Sequence, residues 1–339
     1  MVSSSTPKKK SRFGLFLPFV LLLLVVGAWS AWWHVASGRI DQAVDEWISE
    51  QEAQGAAFTY AGRHMGGYPF RFELVFDQPA YSGRPGEASW EGDRAEFVMQ
   101  AWNLTHMIGR MPGHHVITGA NGIRNSVDFD GHAAFSLSWN KAGLNRFGFQ
   151  SGEAQALVGG QVYEISNLSL NLAPRPKSPD DLMIAAQWDK LALEAAPVAA
   201  PYLGTELGPS RLIGEVRSFF PAYEAAGREV GGVWPMLLED GEVEVAQLLL
   251  DWGPLDLGAQ ANLTLANGRS NGAFKVRIEN ADALKQAMID TGHWNQQEQI
   301  VFGTLAPASR DGGFLTLPVI DDTVFVGPVP LGKLPGSRS

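Results

Sequence analysis

No cysteine occurs anywhere in the 339 residues. Its absence excludes disulfides, thiolate catalysis and cysteine-ligated metal or iron–sulfur sites, and it suits an oxidising compartment where stray thiols are a liability. No acidic residue precedes Asp41. Four of the 26 basic residues, Lys8, Lys9, Lys10 and Arg12, lie at the start, which leaves 22 against 36 acidic ones in the remainder. That remainder carries a formal −14 in a chain of −10. Such a body is repelled by phosphate backbones, so nucleic acid is not an expected partner. The G-x-S-x-G, P-loop, G-x-G-x-x-G and H-E-x-x-H patterns are all missing.

The 21 residues from Phe13 to Trp33 carry no charge. At about 1.5 Å per residue, a helix of that length crosses the roughly 30 Å hydrocarbon core of a bilayer. Basic residues precede it and Trp29, Trp32 and Trp33 close its far end, where indole rings favour the membrane–water interface. The expected arrangement is residues 1–12 in the cytoplasm, 13–33 as a single anchor in a bacterial inner membrane, and a periplasmic body. A cleaved signal peptide is the rival reading, with Val35-Ala36-Ser37 as the cut region, but the apolar run is long for a signal core.

After the anchor, Ile40, Ala43, Val44, Trp47 and Ile48 form one apolar stripe, which predicts a membrane-proximal helix over 38–55 ended by Gly55. From Phe58 the period becomes two. Phe70, Phe72, Leu74 and Phe76 alternate with Arg71, Glu73 and Asp77 after the turn Gly66-Gly67-Tyr68-Pro69. Further runs at 91–100, 133–139, 144–149, 168–172, 182–193 and 211–219 predict a large antiparallel sheet. Residues 173–179, with three prolines, read as a stiff connection, and 196–209 as a loop. Short helices are expected at 223–228 and near Trp234. Leu255 to Leu265 and Phe274 to Ile278 form the cleanest hairpin, around Asn267-Gly268. Asn280 is placed to cap a helix ended by Gly292, a second short helix is expected over 295–305, and two strands follow at 314–320 and 323–326. The fold class is mainly β (α+β): a transmembrane helix, then a curved antiparallel sheet or β-groove with few short helices. The body divides into 56–230 and a C-terminal hairpin and helix module over 231–334.

Residues 66–72 (Gly-Gly-Tyr-Pro-Phe-Arg-Phe) after a membrane-proximal helix resemble an alphaproteobacterial family known as domain of unknown function 2125. So do Leu250-Asp251-Trp252-Gly253-Pro254-Leu255, Asn280 with its helix, and Val324-Phe325-Val326-Gly327-Pro328. Asp322-Thr323 stands where that likeness leads one to expect Asp-Gly. The family is similar in plan to AsmA-like proteins, and the resemblance implies an inner-membrane helix, a periplasmic β-groove and a part in envelope lipid homeostasis. It supplies no catalytic residues.

Chemistry-bearing residues give little. His114 and His115 are adjacent, so on a strand they point to opposite faces and do not share one ion; His106 and His132 lie at no ligand spacing. Surface or loop histidines are the expectation, with no metal and no cofactor. The pairs Asp180-Asp181 and Asp321-Asp322 fall at turns. The apolar stripes therefore carry the functional reading. Phe70, Phe72, Leu74, Phe76, Leu257, Leu263, Phe274, Val276 and Ile278 are either ordinary core or the lining of a trough for a phospholipid or other apolar ligand. A non-enzymatic lipid-handling protein is the leading expectation. An acidic scaffold for envelope protein partners is the alternative, and a hydrolase with an unrecognised site comes third.

Overall fold

In the computed structural model the described residues are 13–334, apart from 142, 199, 228–229, 297–298, 301 and 304–312. A helix α1 runs unbroken from Phe13 to Ala53. The apolar run and the expected membrane-proximal helix are thus one rod, about 60 Å long at 1.5 Å per residue. Gly38, where a separate helix was expected to begin, lies inside it with open space around its Cα, and its cost of about 1 kcal/mol does not break the rod. The N-terminal part of α1 is long and apolar enough to cross a membrane.

Twenty-four strands, numbered in chain order among the described residues, form one antiparallel sheet that does not close on itself. The chain lays them down alternately in two walls. The first wall contains β2 (Gly62–Gly66), β3 (Arg71–Asp77), β6 (Arg94–Gln100), β7 (Asn103–Arg110), β10 (Ala133–Asn140), β11 (Gly143–Ser151), β14 (Ser169–Arg175), β15 (Ser178–Trp188) and β18 (Ser210–Arg217). The second contains β1 (Ala57–Thr59), β4 (Ala80–Ser82), β5 (Ser89–Gly92), β8 (Gly113–Thr118), β9 (Arg124–Phe129), β12 (Glu153–Val158), β13 (Gln161–Ser166), β16 (Lys190–Leu193) and β17 (Glu206–Leu207). β19 (Asp240–Trp252) pairs with both β17 and β18 and joins the walls. The first wall then continues through β20 (Leu255–Ala266), β21 (Arg269–Ile278), β22 (Leu315–Ile320), β23 (Thr323–Val326) and β24 (Val329–Lys333).

The walls meet along a crease, and after the first crossing, at Tyr60-Ala61, the sequence marks each one with a turn-forming residue. Gln78-Pro79, Asp93, Pro112, Asp130-Gly131, Gly152, Asn167, Asp189 and Gly208-Pro209 separate the paired segments. Gln78, Gly131 and Asn167 have positive φ, which bends the strand. The backbone ladder persists through the bend: Gln78 N donates to Asp93 O at 2.9 Å, Asp93 N to His114 O at 3.0 Å, and Gly152 N to His132 O at 2.9 Å. Asp93 also accepts the His114 amide at 2.8 Å, and Asn167 Nδ2 donates to Asp189 at 2.8 Å. The crease is thus folded without losing backbone hydrogen bonds, which a buried bend requires.

Residues 173–179 are not a stiff connection. β14 runs to Arg175 and β15 begins at Ser178, with Pro174 opposite Leu182. The proline is tolerated because β11, the other neighbour, pairs only with 169–172, so the missing N–H faces no acceptor. The expected loop 196–209 contains a 3-10 turn at Pro201–Leu203 and β17. Helices α2 (Phe219–Ala225) and α3 (Val230–Glu239) occupy the region around Tyr223 and Trp234. Asn280 precedes α4 (Ala281–Asp290) without a side-chain capping bond, contrary to expectation. Of the helix expected over 295–305, residues 296, 299–300 and 302–303 are helical, while 297–298, 301 and 304–305 lie outside the described residues.

At the last hairpin Asp321 and Asp322 both take positive φ, the backbone of a two-residue turn between Ile320 and Thr323. The buried Asp322 carboxylate accepts the Ser270 amide at 2.7 Å, which explains an acid where glycine would relieve the backbone. Asp322→Ala is expected to lower unfolding free energy by about 1–3 kcal/mol by orphaning that amide. Denaturant titration measures this; an unchanged midpoint would contradict the assignment.

Candidate apolar groove

Cross-strand register brings the inward residues of the first wall into rows. One row pairs directly through twelve strands: Phe72, Met99, Met107, Leu137, Phe147, Leu172, Ile184, Gly214, Val245, Ala261, Phe274 and Leu317. The row beside it reads Leu74, Phe97, Gly109, Phe135, Phe149, Leu170, Ala186, Leu212, Leu248, Ala259, Val276 and Leu315. No polar side chain interrupts either row. At about 4.8 Å per strand they extend roughly 50 Å. On the opposite face the row through Glu96, Arg110, Ala134, Gln150, Ser169, Gln187 and Arg211 is polar at every position but Ala134. Gly109 is the one gap near the start, and the Phe135 ring fills it: a Cβ there would lie 2.1 Å from that ring.

The second wall turns its own apolar side chains toward these rows. Phe58 meets Phe76 at 5.3 Å between centroids, and Phe129 meets Phe149 at 6.1 Å. At the start of the sheet the two walls flank a cavity of about 560 Å³. Its lining comes from both walls and from α1: Ile40, Val44 and Trp47 of the helix, Met65, Phe72, Leu74, Phe76, Phe97, Met99 and Met107 of the first wall, and Phe58, Tyr81 and Trp90 of the second. The only polar atoms those side chains carry are one phenol and two indole nitrogens. That volume falls within the roughly 300–1,000 Å³ of small-molecule sites.

α1 is held against this end by specific contacts. Trp33 is 6% exposed, stacks on Phe72 at 5.4 Å and donates Nε1–H to Arg71 O at 3.0 Å. Trp29 Nε1 donates to Pro69 O at 2.9 Å, and Ser30 Oγ lies 2.6 Å from the Tyr68 hydroxyl. Further along, Arg63 reaches back to Asp45 at 2.6 Å and Asp41 at 3.6 Å. The bond from Arg63 holds the Asp45 carboxyl below its ordinary pKa and raises that of the guanidinium.

Of the nine residues singled out from sequence, Phe72, Leu74 and Phe76 line the cavity. Phe70 does not; it sits on the β2–β3 hairpin tip, 66% exposed. Leu257, Val276 and Ile278 pack under α4 with Leu284 and Met288, so that end of the groove is covered. Leu263 and Phe274 are half-buried, Leu263 opposite Val243 and Phe274 within the first apolar row. The two groups of candidates have eight strands between them and do not share one cavity. α2 and α3 cover a middle section, with Val233 and Leu237 against Leu182, Val216 and Val243. Between that cover and the cavity, Leu137, Phe147 and Leu170 remain half-buried. Phe58, Met65, Tyr81, Trp90, Phe97, Met99 and Met107 were not singled out, although the alternation Phe97-Val98-Met99 was available as a signal.

His115 is not a surface histidine. It is 2% exposed, stacked on Trp90 at 5.8 Å and 7°, with Nε2 3.1 Å from Met111 O. Burial pushes its pKa below the ordinary value of 6.5, against the opposing pull of the Met111 and Pro112 carbonyls. The unfolded chain therefore binds more protons just below pH 6.5, and stability falls as pH drops from there through the depressed folded value. His115→Phe keeps the stack and is expected to flatten that acid limb. Urea midpoints at about pH 7.5 and about pH 5 measure it; parallel profiles for both proteins would contradict the assignment. His114 faces the other way and meets Asp128 at 2.7 Å, as adjacency on a strand predicts. No cluster of three metal-ligating side chains occurs among the described residues.

The model of one protein family, described as uncharacterized protein conserved in bacteria (DUF2125), matches residues 33–335. The chain belongs to the DUF2125 family. The match begins at Trp33, the residue that stacks on the groove's first strand, and ends just past β24. What the DUF2125 region encodes is therefore the creased sheet with its covering helices. Comparison with curated proteins and with solved structures finds no match.

Proposed function

We propose that this DUF2125 protein is anchored in a membrane by the first part of α1 and holds the acyl portion of a lipid in its groove. The observation that carries the reading is the pair of uninterrupted apolar rows leading into a cavity against the anchor. An exposed apolar surface that long is an aggregation hazard unless something covers it, and three helical elements leave its middle half-covered. Each methylene transferred from water contributes about 0.8 kcal/mol, so ten would contribute about 8 kcal/mol before the cost of ordering the chain. The cavity lining offers no charge for a headgroup, so the apolar tail is the part recognised there. A bacterial inner membrane with the body on the periplasmic side fits the basic N-terminus and the absence of cysteine, and the plan accords with that of AsmA-like proteins.

The full chain, purified in mild detergent and washed free of loosely held lipid, is expected to retain about one acyl-chain lipid per protein by mass spectrometry of its extract. Retention of none, with the body still folded, would contradict the reading.

A further inference from the structure

The course of α1 fixes how the first wall stands. Trp29 lies beside Pro69, Trp33 beside Phe72, and Asp45 beside Arg63, so the helix descends along β2 and β3 from hairpin tip to crease. The tips of this wall therefore point the way the apolar span continues. The neighbouring tip, between β6 and β7, is level with the first: Arg71 pairs with Gln100, Gln100 with Asn103, and Ala101 N donates to Phe70 O at 3.0 Å. Both tips carry large apolar side chains that stand exposed among the described residues. Phe70 is 66% exposed and Trp102 63%, and Tyr68 and Leu104 are also exposed. The corresponding turns of the second wall, over 83–88 and 119–123, bear no aromatic residue.

We infer that these two tips are a second membrane contact, seated at the headgroup–acyl boundary beside the anchor. This rests on the membrane reading of α1 but not on what fills the groove. The occupant is a lipid surface because the first tip is hydrogen-bonded to the last turn of the apolar span itself and the second tip to the first, and because Trp and Tyr favour that depth. Two attachment points, helix and hairpins, fix the rotation of the groove about the anchor, which a helix alone leaves free. The third tip, beyond β10, is four strands from the first and turned by the sheet's twist, and is not included.

The cysteine-free chain permits a direct test. Phe70→Cys, Trp102→Cys, Ile123→Cys on the second wall, and Leu22→Cys within the span are labelled singly with an environment-sensitive fluorophore. Each full-length protein is reconstituted into phosphatidylcholine–phosphatidylglycerol vesicles containing lipids spin-labelled near the headgroup or deep in the chain, and circular dichroism verifies the fold. Labels at 70 and 102 are expected to be quenched about twofold or more above that at 123, most by the shallow quencher. Quenching at 70 and 102 no greater than at 123, while 22 is quenched by the deep lipid, overturns this inference alone. Absence of quenching at 22 removes the membrane reading and the inference with it. A blue shift at 70 and 102 without quenching indicates a protein contact and likewise overturns it.

Discussion

Trp33→Ala is expected to cost about 3–5 kcal/mol of stability, the range for removing a large buried aromatic. The indole is almost fully buried, stacks on Phe72, meets Tyr68 edge-on at 5.4 Å and satisfies the Arg71 carbonyl. Its loss opens a void between helix and first strand and leaves that carbonyl without its donor. Trp33→Phe retains a ring on Phe72 and is expected to lose only about 1 kcal/mol more than packing changes account for, the worth of one hydrogen bond. Trp32, exposed on the preceding position and only edging Phe72 at 6.0 Å, is the comparison. Urea unfolding in micelles followed by near-ultraviolet circular dichroism reports the global effect. Hydrogen exchange in β2 and β3 reports whether the hairpin loosens from the helix. Equal effects of Trp33→Ala and Trp32→Ala would show that the helix–sheet contact does not hold the groove's end.

The second large effect is expected from Met99→Glu. Met99 faces the cavity between Phe72 and Met107, where a carboxylate meets no cationic side chain in the lining. Either the charge stays and solvates the cavity, or the acid is protonated at a cost that grows with pH. Retained lipid is expected to fall at least about tenfold, equivalent to about 1.4 kcal/mol, with a stability loss of about 2–3 kcal/mol. Ile108→Glu places the same charge on the outward face of the adjacent strand, opposite Val98 and Ser136, and is expected to leave retention unchanged. Quantitative mass spectrometry of extracts from the three proteins separates the cases. Loss of lipid in Ile108→Glu as well would point to general destabilisation and away from a specific cavity.

Much of the first wall was legible because its strands alternate cleanly. β3, β10, β11, β14, β20 and β21 each declare a dry face, and register then aligns those faces into rows. The second wall was harder to read. β8, β9, β12 and β13 are short and bounded by crease residues, Pro112 before β8, Asp130-Gly131 after β9, Gly152 before β12 and Asn167 after β13, so period-two runs are cut before they accumulate. Pro174 hid the end of β14 because a proline argues against a strand unless the vacant side of the ladder is known, and only the pairing of β11 reveals that. His115 looked like its neighbour in sequence, yet one points to solvent and the other beneath Trp90. The candidate site was half legible. Periodicity says which residues share a face, but not how many strands separate them. Phe72, Leu74 and Phe76 were therefore grouped with Leu257 and Ile278, nine and ten strands away under α4. The contribution of α1 to the cavity, through Ile40, Val44 and Trp47, was visible as a stripe but not as a lining, because nothing local shows what a stripe covers.

The most direct test uses a fatty acid bearing a photoreactive group near the middle of its chain, offered to the full-length protein in micelles and crosslinked by light. Labelled peptides are expected to map to the cavity strands, around Phe97, Met99 and Met107, and to be displaced by unlabelled phospholipid. Labelling confined to the apolar run of α1, with none on β6 or β7, would contradict a lipid-holding groove.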